Sequence, residues 1–508
     1  MKLADLIAGV EQLRIHGDTA VEISGLSYDS RQTNSGDLFF STARDPVAAR
    51  ANLEQAFNRG ARAVVMRGGD GEPPRSAGTI IECESPRRLM GVAASRFFNA
   101  PSRRLDLIGV TGTSGKTTTT YLIRSIFAAA GSAAGIIGTI GIMSGDREVH
   151  GSLTTPESID FEGALAAMEQ SGVSAVAAEI SSIGIEEGRG DQLSLRAAVF
   201  TNLGRDHLDY HGTTENYFAA KLRLFTEILP RSSHSAAIAV VNGDDPHGLV
   251  VLDRVRGDKI SFGMGPTLDV RALDASYTTD GISATIAACG RRFAIKSPLL
   301  GEINLRNILG ASAVSVALGI ETAAVVEGVR RCPGAPGRLE AVAGPPGVKV
   351  LVDYAHKPDA LLAILETLRA LKPRRLICVF GCGGDRDRGK RPIMGEIAGR
   401  LADLPIITSD NPRSEDPLAI VAAIAAGIAR TALKPIGEAA ARTNQGYMIE
   451  PDRRAAIAVA LRVAQPGDLV VIAGKGHEDY QLVAGRVLPF DDRVVVREIA
   501  AELGAGQS

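Results

Sequence analysis

The feature that most constrains the fold is a glycine-rich loop between an apolar run and an amphipathic segment. Residues 105–110 read LDLIGV and lead into TGTSGKTTTT at residues 111–120. Apolar residues after this loop recur at helical spacing until Gly131. The pattern predicts a strand, a loop and a helix, and a loop of this kind presents backbone N–H groups that bind phosphate at the start of the helix.

The loop also carries the side chains that nucleotide chemistry needs. Lys116 suits the β- and γ-phosphates of ATP, and the hydroxyl of Thr117 suits Mg²⁺. The string departs from the pattern GxxxxGK[ST], because Val110 stands five residues before Gly115. The sequence predicts an ATP site that comprises Gly112, Thr113, Ser114, Gly115, Lys116, Thr117 and Thr118.

Two further apolar runs lead to residues that suit a magnesium site. Residues 173–178 lead to Glu179, and residues 197–200 lead to a loop that contains His207. A carboxylate at the end of a neighbouring strand can reach a Mg²⁺ held by Thr117. A histidine between two aspartates is equally consistent with a solvated turn, but its place beside Glu179 in the strand order favours a ligand.

The last third of the chain repeats the pattern of strand and polar loop. The strand-like runs are residues 348–352, 376–380, 404–407 and 469–472, and each precedes a loop with Gly or Pro. Ligands bind at the carboxyl ends of strands in open α/β sheets, so these loops indicate one working edge. Segments with Pro and Gly near 102 and 335 predict boundaries between three α/β domains, at 1–102, 103–335 and 336–508.

Composition excludes several other classes of protein. The 508 residues include 56 Lys plus Arg and 58 Asp plus Glu, which is not the basic surplus of a nucleic-acid-binding protein. Five cysteines without a CxxC pair are typical of a reducing compartment and argue against structural zinc. Residues 1–18 predict a first helix rather than a signal peptide, and the most apolar stretch, 418–429, is too short to span a membrane. We expect a soluble, cytoplasmic protein.

A series of motifs follows the same order as in one known family. They are GTSGKTT (112–118), LTTPE (153–157), EISS (179–182), FTNLGRDHLDYHG (200–212), YFAAKLRLF (217–225), NLRN (304–307), PGRLE (336–340), DYAHKPD (353–359), GCGGDRDRGKR (381–391), DNPRSEDP (410–417) and GKGHEDYQ (474–481). Together they resemble the ATP-dependent Mur ligases of peptidoglycan synthesis. The last three are similar to those of the branch that adds diaminopimelate.

The resemblance implies a separate role for each of the three domains. The N-terminal domain would bind the UDP end of the substrate, the central domain would be a P-loop ATPase, and the C-terminal domain would be Rossmann-like and bind an amino acid. The implied reaction converts the D-Glu γ-carboxylate of UDP-MurNAc-L-Ala-D-Glu to an acyl phosphate, which the amine of meso-diaminopimelate attacks. The substrates would be these two molecules and ATP.

The resemblance also assigns roles around the nucleotide. The implied catalytic residues are Lys116, Glu179, His207 and Lys221. The implied Mg²⁺ ligands are Thr117, Glu179, His207 and Lys221, with Lys221 converted to a carbamate by CO2, because hard Mg²⁺ prefers oxygen donors. Further implied ATP contacts are Asn304, Asn307, Arg338 and Asp353.

For the amino acid, the resemblance implies a site made of Arg386, Asp410, Asn411, Pro412, Arg413, Gly474 and Glu478. Diaminopimelate differs from lysine by a distal carboxylate, which the guanidiniums of Arg386 and Arg413 would bind by charge-assisted hydrogen bonds. The alternative is that Arg413 only pairs with Glu415 or Asp416.

For the UDP substrate, the implied contacts are Ser30, Asp45, Pro46, Val47, Thr154, Thr155, Ser181, Glu187 and Arg189. The sequence departs here from the commonest family pattern. Ile183 stands where many members have His, Glu187 where many have Gln, and residues 44–47 where many have an Asp-Gly-His segment. A carboxylate at Glu187, near an anionic substrate, is the least expected of these.

The alternatives within the same reaction class are the lysine-adding form of the ligase and folylpolyglutamate synthase, and the motifs GCGGDRDRGKR, DNPR and GKGHE argue against both. An amidotransferase partner subunit would carry a four-cysteine zinc insertion, and the sequence has no such cluster. A non-catalytic nucleotide-binding switch would not need Glu179, His207 and Lys221 together with an amino-acid site. We expect a monomer without nucleic-acid partners or membrane insertion.

Overall fold

The structure is a computed structural model that describes residues 1–69, 78–145, 147–151 and 153–505. These residues form two compact units. The first comprises Met1–Arg271, Ala287–Arg291 and Leu309–Gly328, and the second comprises Ala272–Ile286, Arg292–Ile308 and Val329–Ser508.

The first sheet lies near the N-terminus. Its strands follow the order β1-β5-β4-β3-β2, and all neighbours are parallel except β1 and β5. The elements are α1 (Leu3–Ile7), β1 (Arg14–His16), β2 (Gly25–Ser27), β3 (Asp37–Phe40), α2 (Pro46–Asn58), β4 (Ala63–Arg67), β5 (Thr79–Cys83) and α3 (Pro86–Phe97), followed by a 3-10 turn at Pro101–Arg103.

The prediction of a single helix over residues 1–18 is wrong beyond Ile7. Gly9 follows the helix with a φ of +65°, in the left-handed region where a helix ends. Residues 14–16 then pair with β5, where Arg14 lies opposite Glu82. Pairing with a distant strand therefore overrides the local helical pattern.

The second sheet carries the glycine-rich loop. Its order is β16-β15-β14-β13-β12-β11-β6-β10-β7-β8-β9. The elements are β6 (Asp106–Thr111), α4 (Lys116–Ala129), β7 (Ala134–Ile137), β8 (Ile142–Ser144), β9 (Arg147–Val149), α5 (Ser158–Gln170), β10 (Ala175–Glu179), α6 (Ser182–Glu186), β11 (Ala197–Phe200), α7 (Leu208–His211), α8 (Thr214–Arg223), β12 (Ile238–Asn242), α9 (Pro246–Arg254), β13 (Asp258–Gly263), β14 (Val270–Thr278), β15 (Gly281–Ala288), β16 (Arg291–Ser297), α10 (Gly301–Ala317) and α11 (Thr322–Arg331).

The predicted strand, loop and helix around residues 105–131 are confirmed as β6, the loop and α4. β6 is buried between β10 and β11, and both run parallel to it. Glu179 lies opposite Val110, and Phe200 lies opposite Thr111. The carboxyl ends of all three strands therefore meet at one edge.

The third sheet has the order β17-β18-β22-β19-β20-β21, and a separate hairpin pairs β23 with β24. The elements are β17 (Glu340–Val342), β18 (Lys349–Asp353), α12 (Pro358–Ala370), β19 (Leu376–Phe380), α13 (Lys390–Leu401), β20 (Leu404–Ile407), α14 (Pro417–Ile428), α15 (Glu438–Ala441), β21 (Met448–Ile449), α16 (Arg453–Val463), β22 (Leu469–Ala473), β23 (Tyr480–Val483), β24 (Arg486–Pro489) and α17 (Asp492–Ala505).

The four strand-like runs predicted in this part are confirmed as β18, β19, β20 and β22. These strands are parallel neighbours, and their buried side chains contribute to the apolar core of this part of the chain. The predicted α/β class is correct. Each sheet lies within one of the predicted ranges 1–102, 103–335 and 336–508, and the three-domain division itself stays a prediction. Within the described ranges, no helix has the length and apolar character needed to cross a membrane.

One buried carboxyl group in the first unit has an unusual environment. Glu162 lies on α5, which packs against α3, and its side chain is 2% exposed. Burial raises the pKa of Glu162 to about 7, although the charge of Arg103 and the side chain of Ser95 both act in the opposite direction.

We expect Glu162→Gln to increase the free energy of unfolding at pH 8 by about 1–3 kcal/mol. The folded protein holds the Glu162 proton up to a higher pH than the unfolded chain, so stability from this group falls as the pH rises from 4.5 to about 7. Urea unfolding at pH 5 and pH 8 measures the effect. Glu169→Gln on the same helix is the control, because Arg104 lowers the pKa of Glu169 and the pH dependence has the opposite sign. An unchanged or reduced stability of Glu162→Gln at pH 8 contradicts the assignment.

Candidate active site

The glycine-rich loop is held by residues that follow β11. Gly112 and Gly115 have φ values of +148° and +84°, and a Cβ on Gly112 would lie 1.9 Å from Oγ1 of Thr201. The N–H of Thr113 donates to the carbonyl of Asn202 at 2.9 Å, and the N–H of Ser114 donates to Oδ1 of Asn202 at 3.0 Å. Asn202 therefore holds the backbone of the loop, and Thr117 and Thr118 are buried in the first turn of α4.

Two lysines converge on the first residue of this loop. Nζ of Lys116 donates to the carbonyls of Gly112 and Thr113 at 2.8 and 3.0 Å. Nζ of Lys221, on α8, donates to the same Gly112 carbonyl at 2.9 Å and lies 4.5 Å from the ring centre of Tyr217. Lys221 is 1% exposed, and its pKa lies well below the usual range because of burial and the neighbouring charge of Lys116.

Glu179 ends β10 with a nearly inaccessible carboxylate, which is 1% exposed. Its oxygens accept from the N–H and the hydroxyl of Thr139, both at 3.0 Å. The Thr139 hydroxyl in turn contacts that of Thr154 at 3.1 Å. A carboxylate offers about four acceptor positions, so Glu179 keeps capacity for a hard cation, and with the Thr117 hydroxyl it supplies the oxygen donors that Mg²⁺ prefers.

His207 starts the short helix α7 with a left-handed φ of +52°. Its ring is 3.6 Å from the carboxylate of Asp206, and 43% of its side chain is exposed. In the part of the chain that the structure describes, no three His, Cys, Asp or Glu side chains cluster as a metal site would require. The predicted set differs from such a cluster, because it combines Glu179 and His207 with Thr117 and a modified Lys221.

The predicted UDP contacts near the N-terminus have local structural partners. Oγ of Ser30 contacts the side-chain oxygens of Asn52 and Gln55 on α2 at 3.2 and 2.6 Å. Asp45 caps α2 by accepting from the N–H of Ala48, Pro46 occupies the first turn, and Val47 is exposed. The unusual segment at residues 44–47 therefore starts a helix.

Thr155 joins the LTTPE segment to the end of β10. Its hydroxyl donates to the carbonyl of Glu179 at 2.9 Å and accepts from the N–H of Ser181 at 2.8 Å. Ser181 caps α6 through the N–H of Gly184. Predicted substrate contacts therefore lie directly beside the predicted metal ligand Glu179.

The unexpected carboxylate of Glu187 is surrounded by guanidinium groups. It pairs with Arg189, with Arg44 at 3.4 Å and with Arg87 at 3.5 Å. Arg87 and Arg189 also pair with Glu157, at 3.2 and 3.3 Å. The negative charge is therefore compensated, and Arg44 belongs to the second segment that departs from the family pattern.

In the second unit, the remaining predicted ATP contacts lie in two places. Asn304 and Asn307 are buried on α10, where Nδ2 of Asn307 donates to Oδ1 of Asn304 at 3.1 Å. The carboxylate of Asp353 accepts from the N–H groups of Leu339 and Ala355, both at 2.8 Å. The guanidinium carbon of Arg338 lies 4.9 Å from the ring centre of Tyr354. The buried Nε of Arg338 has no hydrogen-bond partner in the described ranges.

The loops after β19 and β20 pack tightly against each other. The N–H of Gly384 donates to the carbonyl of Asn411 at 2.9 Å, and a Cβ on Gly384 would lie 1.9 Å from the carbonyl oxygen of Pro412. A Cβ on Gly383 would lie 2.8 Å from Nη1 of Arg413 and 3.9 Å from Cγ of Arg386. Both predicted clamp arginines thus lie close to Gly383.

The alternative that Arg413 only pairs with nearby acids is wrong. Nη1 of Arg413 donates to the carbonyl of Gly384 at 2.9 Å. Glu415 instead pairs with Arg391 at 2.9 Å and Arg388 at 3.3 Å, and Asp416 caps α14.

The backbone of Arg413 is held by the β23–β24 hairpin. Arg413 has a left-handed φ of +55°, which is uncommon for a residue with a side chain. Its N–H donates to the carbonyl of Leu482 at 2.9 Å, and its carbonyl accepts from the N–H of Ala484 at 2.7 Å. Nε2 of Gln481 donates to the carbonyl of Asp410 at 2.7 Å. The hairpin therefore orients the DNPR segment.

The acidic half of the predicted amino-acid site forms a compact cluster. Nδ2 of Asn411 donates to Oε2 of Glu478 at 3.1 Å, and Gly474, with a φ of +124°, faces the carboxylate of Asp410. Lys475 lies among these side chains and is fully buried. Sequence reasoning missed Lys475 and Arg87 as parts of the sites, although Lys475 lies inside the GKGHEDYQ motif.

Comparisons with known proteins match both halves of this arrangement. Residues 110–315 match the Mur ligase middle domain, and residues 337–476 match the Mur ligase, glutamate ligase domain. The chain belongs to the Mur ligase family.

Similar Mur ligases extend over the full length of the chain. The UDP-N-acetylmuramoyl-L-alanyl-D-glutamate–2,6-diaminopimelate ligase of Geobacter metallireducens is 42% identical, with 99% of each chain covered. The enzyme of the same name from Geobacter sulfurreducens is 41% identical over 97% of each chain. A solved structure of a ligase with this name has a TM-score of 0.71 at 33% identity and covers 99% of both chains.

We expect Glu187→Gln in this Mur ligase to lower the free energy of unfolding by about 1–3 kcal/mol, because it removes a charged partner from three arginines, one of them buried. Arg44→Ala is the matched control: its exposed pair with Glu187 contributes about 0–1 kcal/mol. Urea unfolding at pH 7.5 measures both. Equal effects of the two substitutions would contradict the role of Glu187 as the centre of this charge cluster.

Proposed function

We propose that the chain is an ATP-dependent amide ligase that adds meso-2,6-diaminopimelate to the D-Glu γ-carboxylate of UDP-MurNAc-L-Ala-D-Glu in peptidoglycan precursor synthesis. Full-length relatives at about the same length carry the name of this ligase. The observation that carries the assignment to this chain is that Arg386 and Arg413 both lie close to Gly383, where a Cβ would be 3.9 Å from Cγ of Arg386 and 2.8 Å from Nη1 of Arg413.

The first step needs two anions to approach each other. An oxygen of the D-Glu carboxylate attacks the γ-phosphorus of ATP, the bond to the β-γ bridging oxygen breaks, and ADP leaves. Positive charge and alignment dominate such a transfer. The loop N–H groups at residues 112–117 and Lys116 are suited to bind the phosphates, and Mg²⁺, when bound, neutralises phosphate charge. We assign Thr117, Glu179, His207 and Lys221 as its ligands.

In the second step the amine of diaminopimelate attacks the acyl carbon, the bond to phosphate breaks, and the amine loses a proton to give the amide. Asn304, Asn307, Arg338 and Asp353 are proposed ATP contacts. Ser30, Asp45, Pro46, Val47, Thr154, Thr155, Ser181, Glu187 and Arg189 are proposed contacts of the UDP substrate.

The proposed carbamate on Lys221 is supported by the environment of its amine. Only a neutral amine adds to CO2, with a C–N bond formed and one proton released. Burial and the adjacent Lys116 both lower the pKa of Lys221, which favours the neutral form. The resulting carbamate would be an oxygen-donor anion next to the glycine-rich loop, where Nζ of Lys221 lies 2.9 Å from the carbonyl oxygen of Gly112.

The amino acid is proposed to bind between Arg386, Asp410, Asn411, Pro412, Arg413, Gly474 and Glu478. Guanidiniums bind the distal carboxylate of diaminopimelate, and the acidic residues bind an ammonium group. Lysine would leave the arginines without a counter-carboxylate. We further propose that the enzyme is a monomer and acts in the cytoplasm.

The direct test is phosphate release with ATP, Mg²⁺ and UDP-MurNAc-L-Ala-D-Glu. We expect release that depends on meso-diaminopimelate and stays at background with L-lysine or without an amino acid. Release with lysine alone would identify the lysine-adding form. Background rates with every combination would favour a nucleotide-binding switch and contradict the proposed ligase.

We expect Arg413→Asn to raise the KM for diaminopimelate by roughly 10- to 100-fold, because one charge-assisted hydrogen bond to the distal carboxylate is lost. Asn tolerates the left-handed backbone of this position, so the substitution isolates the guanidinium. Arg388→Ala is the control, since this arginine lies in the neighbouring loop with 74% of its side chain exposed. Steady-state kinetics at fixed ATP measure the KM for diaminopimelate. Equal KM values for wild type and Arg413→Asn would contradict the proposed arginine clamp.

A further inference from the structure

A fully buried ammonium group lies inside the amino-acid site. Lys475 follows β22 in the loop after Ala473, and none of its surface is exposed. Its Nζ also lies 5.6 Å from the ring centre of Tyr480. A buried lysine needs polar or charged partners that compensate for its lost hydration.

Those partners all belong to the proposed amino-acid site. Nζ donates to Oδ1 of Asn411 at 3.2 Å and to Oε2 of Glu478 at 3.4 Å, and lies 3.7 Å from Oδ1 of Asp410. The ammonium group of Lys475 therefore lies among two carboxylates and an amide oxygen, which compensate for its lost hydration.

The same contact determines the orientation of Asn411. Its Oδ1 accepts from Lys475 and from the N–H of Leu482, the latter at 2.9 Å. Its Nδ2 consequently faces Oε2 of Glu478, at 3.1 Å. Two donors, one amide and one ammonium, thus hold a single oxygen of Glu478 in place.

The contact between Lys475 and Asp410 is an ion pair without a hydrogen bond. Oδ1 of Asp410 is buried and has no hydrogen-bond partner among the described residues, although the ammonium of Lys475 lies 3.7 Å away. Lys475 therefore lies close to both acidic side chains of the proposed amino-acid site.

We propose that Lys475 is a positioning residue for amino-acid binding: it fixes the side chains of Asn411 and Glu478 in the orientation that receives the substrate's ammonium group. This role rests on the proposed ligase function. It is separate from the arginine clamp, because it concerns the cationic end of the amino acid rather than the distal carboxylate.

Lys475→Met tests the role, since methionine has a similar length and no charge. We expect the KM for diaminopimelate to rise about tenfold or more while the KM values for ATP and UDP-MurNAc-L-Ala-D-Glu change by less than about twofold. Lys475→Arg, which restores the charge, should recover part of the loss. If Lys475→Met does not fold, Lys475→Gln replaces it, because an amide nitrogen can still donate to Asn411.

The control is another buried cation of the same sheet. Arg375 precedes β19 at the opposite edge, where it pairs with Asp468 at 2.8 Å and donates to the carbonyls of Ala441 and Val463. Arg375→Gln should lower Tm and leave the KM for diaminopimelate unchanged. The contrast separates positioning from general destabilisation.

The outcomes distinguish the two levels of the proposal. A selective rise in the KM for diaminopimelate with Lys475→Met, but not with Arg375→Gln, supports the role of Lys475. Equal KM values for wild type and Lys475→Met, or equal increases for all three substrates, overturn it while the ligase function stands. A wild-type protein without diaminopimelate-dependent phosphate release overturns both.

Discussion

Two lysine side chains donate to one carbonyl oxygen, that of Gly112, and the chemistry of the first unit depends on this contact. Lys116 and Lys221 both lie within 3 Å of that oxygen. Burial, together with the neighbouring charge of Lys116, lowers the pKa of Lys221. The lowered pKa favours the neutral amine that the proposed carbamate requires.

This contact requires an unusual backbone, which explains the glycine. Gly112 has a φ of +148°, and the hydroxyl of Thr201 occupies the space that a side chain would need. The residues after β11 therefore shape the loop after β6, because parallel strands deliver their carboxyl ends to one edge. Sheet order alone therefore brings the predicted ligand-binding residues that follow three strands to one edge.

Strands and loops of this kind could be predicted from the sequence, because an apolar run followed by Gly and polar residues is a local signal. The loop at residues 112–117 and the ends of β10, β18, β19, β20 and β22 were all predictable for that reason.

The partners of Glu187 could not be predicted, because Arg44 and Arg87 lie far away in sequence. Residues 14–16 were misassigned for a similar reason: their strand forms only by pairing with β5. The burial of Lys475 depends on Asn411 and Asp410, which the motif itself does not contain.

The left-handed backbone of Arg413 has a consequence for how amino-acid preference can change. Its N–H and carbonyl are both bound by the β23–β24 hairpin, about seventy residues later in the chain, and left-handed geometry is unfavourable for most side chains. The DNPR segment and the β23–β24 hairpin therefore form one structural unit. Exchange of the DNPR segment alone between related enzymes would carry the side chains without the backbone that aims them, so a transplanted preference requires both segments.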